Sequence, residues 1–239
     1  MFNDKINLVS CPRNLSTALM YSFAQRMDTT VIDEPFYGYY LKLTDADHPG
    51  KEEILKSMSI ELMDILKDIS RARETPVLFV KNMAQHLYQI DLSFIRDWLN
   101  IIFIRDPMHI IASFSRVIQR PTIFDIGVEE QFKIYGYLVA NGKSPLILNS
   151  QDLVINPRAI LERLCDEMNI LFDPKMLSWK AGARKEDGIW AKYWYTSVHR
   201  STGFTQQKTN NPIIPSHLIA LCDQAMVYYD QLNKLAIKP

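Results

Sequence analysis

Five short apolar runs punctuate the chain: INLVS at 6–10, TTVID at 29–33, PVLFVK at 76–81, NIIFI at 100–104 and PLILN at 145–149. They are continuous rather than alternating, the pattern of strands covered on both faces of a parallel sheet. Helical periodicity fills the gaps. Between residues 51 and 70, Ile54, Leu55, Met58, Leu62, Ile65, Leu66 and Ile69 make one stripe, which predicts a single amphipathic helix. Asp106 before Pro107 and Asn156 before Pro157 read as N-caps with proline in the first helical position. Leu218, Leu221, Cys222, Ala225, Tyr229 and Leu232 space as the buried face of a last helix. Strands alternating with helices predict one layered α/β domain over 1–239, built on a central, mostly parallel five-stranded sheet. Residues 180–215 break the pattern. They are rich in Trp, Tyr, Gly, Arg and Pro without periodicity, and predict an irregular lid or substrate loop.

Charge and cysteine usage narrow the class. The 27 Lys and Arg balance the 27 Asp and Glu, which argues against a broad nucleic-acid or membrane-surface partner. The three cysteines, Cys11, Cys165 and Cys222, lie far apart and form no CxxC, as expected of reduced thiols in a cytoplasmic protein. Asp4 and Lys5 precede the first apolar run, unlike a signal peptide, and the most apolar segment, WLNIIFIRDP, is too short to span a bilayer. The five histidines have no metal-ligand spacing, so no metal is expected.

Candidate chemistry sits just beyond strand ends, where open parallel sheets bind ligands. After the first run come Pro12, Arg13, Asn14, Leu15, Ser16 and Thr17. A helix opening near Leu15 would aim unpaired N–H groups and its positive dipole end there, which suits phosphate or sulfate. Arg13 would add a forked cation and Ser16 and Thr17 hydroxyl donors, although the same hydroxyls also suit simple helix capping. The nucleotide loop GxxxxGK[ST] is a poor match, because this loop has no glycine and no lysine. After the fourth run, Arg105 stands at the strand end and Ser113 eight residues on. A charged residue there is costly without a partner or ligand, and a structural Arg–Asp pair is the plain alternative.

Together these turns resemble the sulfotransferases that use 3′-phosphoadenosine 5′-phosphosulfate (PAPS), whose signatures are a strand, a PR/K-S-G-S/T-T turn and a helix, then R-D/N-P followed by Ser. Leu15 stands where that family has glycine, and QDLVINPRAILERLCDEMNILFDP echoes the family's next element. The segments VIDEPFYGYYL, DGIWAKYWY and RSTGF are similar to a bacterial sulfotransferase-like subgroup. The resemblance implies a P-loop-NTPase-like three-layer sandwich. It implies that Arg13, Asn14, Leu15, Ser16 and Thr17 hold the 5′-phosphosulfate, and that Arg105 and Ser113 hold the 3′-phosphate. HRSTGF, with Arg200 and Gly203, partly echoes a C-terminal loop that closes on the same phosphate.

Sulfuryl transfer, like phosphoryl transfer, asks the protein chiefly for positioning and charge stabilisation, plus a base on the acceptor. Two bases stay open. Glu34, at the end of the second strand, matches a glutamate base of several sulfotransferase branches. His86 lies three residues past Met83, which replaces the histidine of the family's K-T-H. Lys81 matches the lysine of that motif and would face the bridging oxygen of the donor. The aromatic residues around 36–40 and 190–204 suit an acceptor pocket for a small molecule. The sequence leaves two other readings open: a P-loop-like kinase of small molecules, and a non-catalytic nucleotide-binding protein of the same fold.

Overall fold

The computed structural model describes residues 4–72, 75–205 and 212–238. Its sheet has five strands: β1 (Asp4–Ser10), β2 (Thr29–Asp33), β3 (Val77–Met83), β4 (Leu99–Ile104) and β5 (Leu146–Asn149). All four pairings are parallel, and the spatial order is β2-β3-β1-β4-β5. The helices are α1 (Ser16–Phe23), α2 (Tyr37–Thr44), α3 (Lys51–Ser57), α4 (Leu62–Arg71), α5 (Pro107–Phe114) and α6 (Ile123–Ile126). They continue with α7 (Val128–Ala140), α8 (Ser150–Ile155), α9 (Pro157–Glu167), α10 (Ala191–Trp194), α11 (Thr196–His199) and α12 (Ile219–Asn233).

Strand pleating divides the core into two layers, because successive residues face opposite sides of the sheet. Ile6, Leu8, Val77, Phe79, Ile101 and Phe103 pack on one side with α1 and α9. Val9, Leu78, Val80, Ile102 and Ile104 pack on the other with α5, α7 and α12. This is the layered α/β domain the apolar runs predicted, in the P-loop-like three-layer form the resemblance implied.

Both expected proline-led caps form. The Asp106 carboxylate accepts from the Met108 N–H at 2.8 Å, and the Asn156 side chain from the Ala159 N–H at 3.3 Å. The single helix expected over 51–70 does not. Met58 is extended (φ −139°, ψ 162°), and the chain restarts as α4 at Leu62. Its stripe is interrupted by Ser57, Ser59 and the β-branched Ile60, residues with little helix propensity to bridge the gap.

One polar feature crosses the second core layer. Asn7 donates to the Asn100 Oδ1 at 2.9 Å and accepts from the Asn82 Nδ2 at 2.8 Å, so three buried amides link β3, β1 and β4. Buried amides are costly unless they are paired. Asn7→Ala therefore strands two partners, and the expected loss is about 1–3 kcal/mol for each. Urea unfolding of wild type and variant measures it.

Candidate active site

The order β2-β3-β1-β4-β5 reverses direction at β1, so a crevice opens between the C-terminal ends of β1 and β4. The turns after those strands form its walls. In the first, Arg13 (φ 62°) and Leu15 (φ 71°) adopt the left-handed conformation, Leu15 where the related motif has glycine. Such backbone costs on the order of 1–3 kcal/mol and persists only where the surroundings over-determine it. Asn14 supplies that hold: fully buried, it donates to the Phe103 carbonyl at 2.6 Å and accepts from the Ser16 N–H at 3.1 Å. Its amide therefore braces the loop, and the residue also lines the cleft. Ser16 and Thr17, in the first turn of α1, line the crevice.

Arg13 donates through Nε to the Ser113 Oγ at 2.9 Å and through Nη1 to the Trp194 carbonyl at 3.1 Å. Arg105 donates through Nη1 to the carbonyl of Arg13. Ser113, expected beside Arg105, thus sits against Arg13, one reach further along α5. Burial and Arg116 pull the Arg13 guanidinium below its usual range, and burial with Arg13 does the same to Arg105. Among the described residues, neither guanidinium pairs with a carboxylate. Arg200 is exposed at the rim of the same cleft.

The opposite wall carries carboxylates. Asp33 closes β2 in register with Lys81 of β3, so both side chains leave the same face. Glu34, the next residue, would point to the other face in a regular strand, but its φ of 42° turns it back to the same lysine. Lys81 is fully buried and donates to Asp33 Oδ1 at 2.8 Å, to Glu34 Oε1 and to the Tyr195 Oη at 2.8 Å. It therefore takes a different place from the one expected. The ammonium does not reach the crevice, because two buried carboxylates hold it behind the wall. Burial raises Glu34, outweighing the opposite pull of Lys81; burial also opposes the charge on Lys81, but Asp33 and Glu34 overcome it and its pKa rises.

His86 lies in a short 3₁₀ turn, Ala84–Leu87, with its ring between Tyr37 (4.5 Å between centroids) and Tyr40 (4.7 Å). Its Nδ1 faces Glu34 Oε2 at 3.7 Å, and burial, His48 and Lys81 push its pKa well down, so it is neutral near pH 7. Met83 stands beside it in the cleft wall, with its sulfur 3.3 Å from the Ser10 hydroxyl. The aromatic residues divide: Tyr37, Tyr40, Trp190 and Tyr195 build a third apolar cluster with Leu41, Ile54 and Ala191, while Tyr37, Trp194, Tyr195 and Phe204 also line the cleft.

The 180–215 segment is more ordered than its composition implies, with α10, α11 and a bridge between Ser178 and Gly203; residues 206–211 lie outside the described residues. Asp187 pins it, accepting from the Tyr21 hydroxyl at 2.7 Å and the Arg184 N–H at 2.9 Å, with His199 Nε2 also 2.9 Å away. Tyr195 has no signal in the sequence that separates it from its aromatic neighbours, and its place between Lys81 and two carboxylates emerges only from this docking.

Both walls and the aromatic floor enclose one cleft of about 970 Å³ that takes in Arg13, Arg105, Ser113, Glu34, His86 and Arg200. A family model described as "Sulfotransferase domain" matches residues 4–236. The chain belongs to the sulfotransferase family. Two curated plant proteins are similar, the branched-chain-amino-acid aminotransferase-like proteins 1 and 2 of Arabidopsis thaliana. The first is 37% identical over 232 residues and the second 37% over 233, in each case 96% of this chain. The chain spans only 42% and 41% of their lengths, so their names describe much longer proteins. Two solved structures share the fold. The sulfotransferase domain from the curacin biosynthetic pathway has a TM-score of 0.57 at 16% identity, covering 100% of this chain and 99% of that one. The sulfotransferase from Alicyclobacillus acidocaldarius has a TM-score of 0.55 at 10% identity, covering 99% and 97%. These structures share the fold alone; the family match over this domain is what assigns it to the sulfotransferase class.

Removing one partner of a buried ion pair leaves an uncompensated charge, which costs about 3–5 kcal/mol. Lys81→Met is expected to destabilise by that amount at about pH 8, and by less at about pH 5, where protonation relieves the stranded carboxylates. Urea midpoints at the two pH values check both the size and the sign.

Proposed function

We propose that the cleft binds PAPS across its two basic turns and passes the sulfuryl group to a hydroxyl or amine of a small acceptor. The observation that carries this reading is the pair of guanidiniums, Arg13 and Arg105, gathered in one cleft without a carboxylate partner among the described residues. Burial pulls both down, with Arg116 adding to it at Arg13 and Arg13 adding to it at Arg105, so a multiply charged anion between them offsets a standing cost. The start of α1, with Ser16 and Thr17, adds N–H and hydroxyl donors on the same side. The donor fits this set of groups. It brings a good leaving group, a nucleotide phosphate; the protein's part is to hold charge and to take a proton from the acceptor.

Glu34 is the base in this reading. Lys81 and Tyr195 occupy its Oε1, Oε2 faces His86, and the residue lines the cleft. Burial lifts the carboxyl toward the pH at which it must work. The neutral His86 packs behind it and helps shape the acceptor side, where Tyr37, His48, Met83 and Trp194 give mostly apolar walls. Such walls suit a small organic acceptor.

Titration calorimetry with 3′-phosphoadenosine 5′-phosphate (PAP) against ADP tests the donor. The expected preference for PAP is at least about tenfold, near 1.4 kcal/mol, and is lost in Arg105→Ala. Equal affinity, or a preference for ADP, favours the small-molecule kinase reading instead.

Transfer from PAPS to a panel of small alcohols, phenols and amines tests the base. Glu34→Gln is expected to lower the rate about 10²–10⁴-fold and His86→Gln by less than about tenfold. The reverse order assigns the base to His86. Because a base works only when deprotonated, the wild-type rate should fall with decreasing pH along a limb set above the ordinary carboxylate range.

A further inference from the structure

Residues 194 and 195 touch the two halves of the cleft in succession. The Trp194 carbonyl accepts from Arg13 Nη1 at 3.1 Å, on the donor side. The Tyr195 hydroxyl lies 2.8 Å from Lys81 Nζ, 2.8 Å from Asp33 Oδ2 and 3.2 Å from Glu34 Oε1, on the base side. Trp190 Nε1 donates to the same hydroxyl at 3.1 Å. With Lys81 and Trp190 both donating to it, the hydroxyl has its one proton to share between the two carboxyl groups, Asp33 at 2.8 Å and Glu34 at 3.2 Å.

The surroundings leave this hydroxyl little freedom. Asp187 ties the segment to Tyr21 of α1, and the Gly188 N–H lies 3.4 Å from Asp33 Oδ2. Gly188 itself lies flat under Trp190, where a Cβ would come within 2.1 Å of the indole ring. On the other side Lys192 pairs with Glu53 at 2.6 Å, and Gly50 packs against the Tyr193 ring. A side chain fixed at this many points holds its hydroxyl to one geometry, which is what a positioning group needs.

We propose that Tyr195 is a positioning residue for the reaction: its hydroxyl fixes the orientation and the proton affinity of the Glu34 carboxyl, so the base is complete only when the 184–200 segment is docked. This rests on Glu34 being the base. Groups from every element around that carboxyl are involved: Asp33 from β2, Lys81 from β3, His86 from the 3₁₀ turn, Tyr37 from α2 and Tyr195 from the docked segment. Of these, Asp33 raises the carboxyl's proton affinity, while Lys81 and the Tyr195 hydroxyl favour its ionised form. Removing the hydroxyl alone should therefore move the Glu34 titration to higher pH.

Tyr195→Phe tests this without a known acceptor. The readouts are the ¹³C titration of the Glu34 carboxyl carbon, assigned by its loss in Glu34→Gln, the affinity for PAP, and the slow release of PAP from PAPS in water. The expected result is a titration midpoint above that of wild type, PAP affinity within about twofold, and PAP release lowered about ten- to a hundred-fold. A midpoint that stays put or falls overturns the proposal. If Y195F does not fold, Trp190→Phe takes its place: losing that donor makes the hydroxyl a weaker donor to the carboxylates, so the midpoint should rise, by less than in Y195F, and an unmoved or lowered midpoint overturns the proposal. A Glu34→Gln enzyme that keeps its PAP release and transfer rate sinks the base assignment instead, and the titration of Y195F still decides whether Tyr195 governs that carboxyl.

Discussion

The site depends on one buried cation. Lys81 lies under the cleft with no exposed surface, and its one ammonium pairs with both Asp33 and Glu34, two carboxylates that share its pocket. Two acids this close in a dry interior depend on the cation between them, and it offsets only one unit of negative charge. Several features follow from that requirement. β2 and β3 must align so that Asp33 meets Lys81, and Glu34 must accept a left-handed backbone to reach it. The segment from 184 to 200 must fold back so that Tyr195 can close the fourth side.

The basic wall has the opposite logic. Arg13 and Arg105 crowd each other, held by carbonyls and a serine rather than by acids. Their excess positive charge is left for a ligand, while the carboxyl groups across the cleft share the buried Lys81 ammonium. This asymmetry separates a surface that holds an anion from one that moves a proton, and it places the two on opposite sides of about 970 Å³ of shared space. The topology makes the division possible, because the reversal at β1 brings the turns after β1 and β4 together and leaves the end of β2 two strands away.

Left-handed backbone recurs where these demands meet. Arg13, Leu15 and Glu34 all have positive φ without being glycine, and all three line the cleft. Leu15 keeps the conformation that glycine usually provides because its side chain packs against the core layer of α1 and α9 and Asn14 clamps the loop. A motif that is read by residue type alone loses its glycine here, yet the turn it describes is present.

The apolar runs alone determined the five strands and their parallel pairing, since continuous hydrophobic segments separated by helical periodicity leave few other ways to bury both faces of a sheet. The proline-led caps at Asp106 and Asn156 were equally local and equally legible. So were the turns after β1 and β4, because a strand end followed by a helix places its residues at the sheet rim whatever the rest of the chain does. Only the tertiary structure decided what Lys81 faces, that Ser113 serves Arg13, that the stripe over 51–70 splits into α3 and α4, and that Tyr195 alone among its aromatic neighbours reaches the carboxylates. The reason is distance along the chain. Lys81 meets Tyr195 across 114 residues and Arg13 meets Ser113 across 100, and no local pattern encodes which partner a buried charge will find.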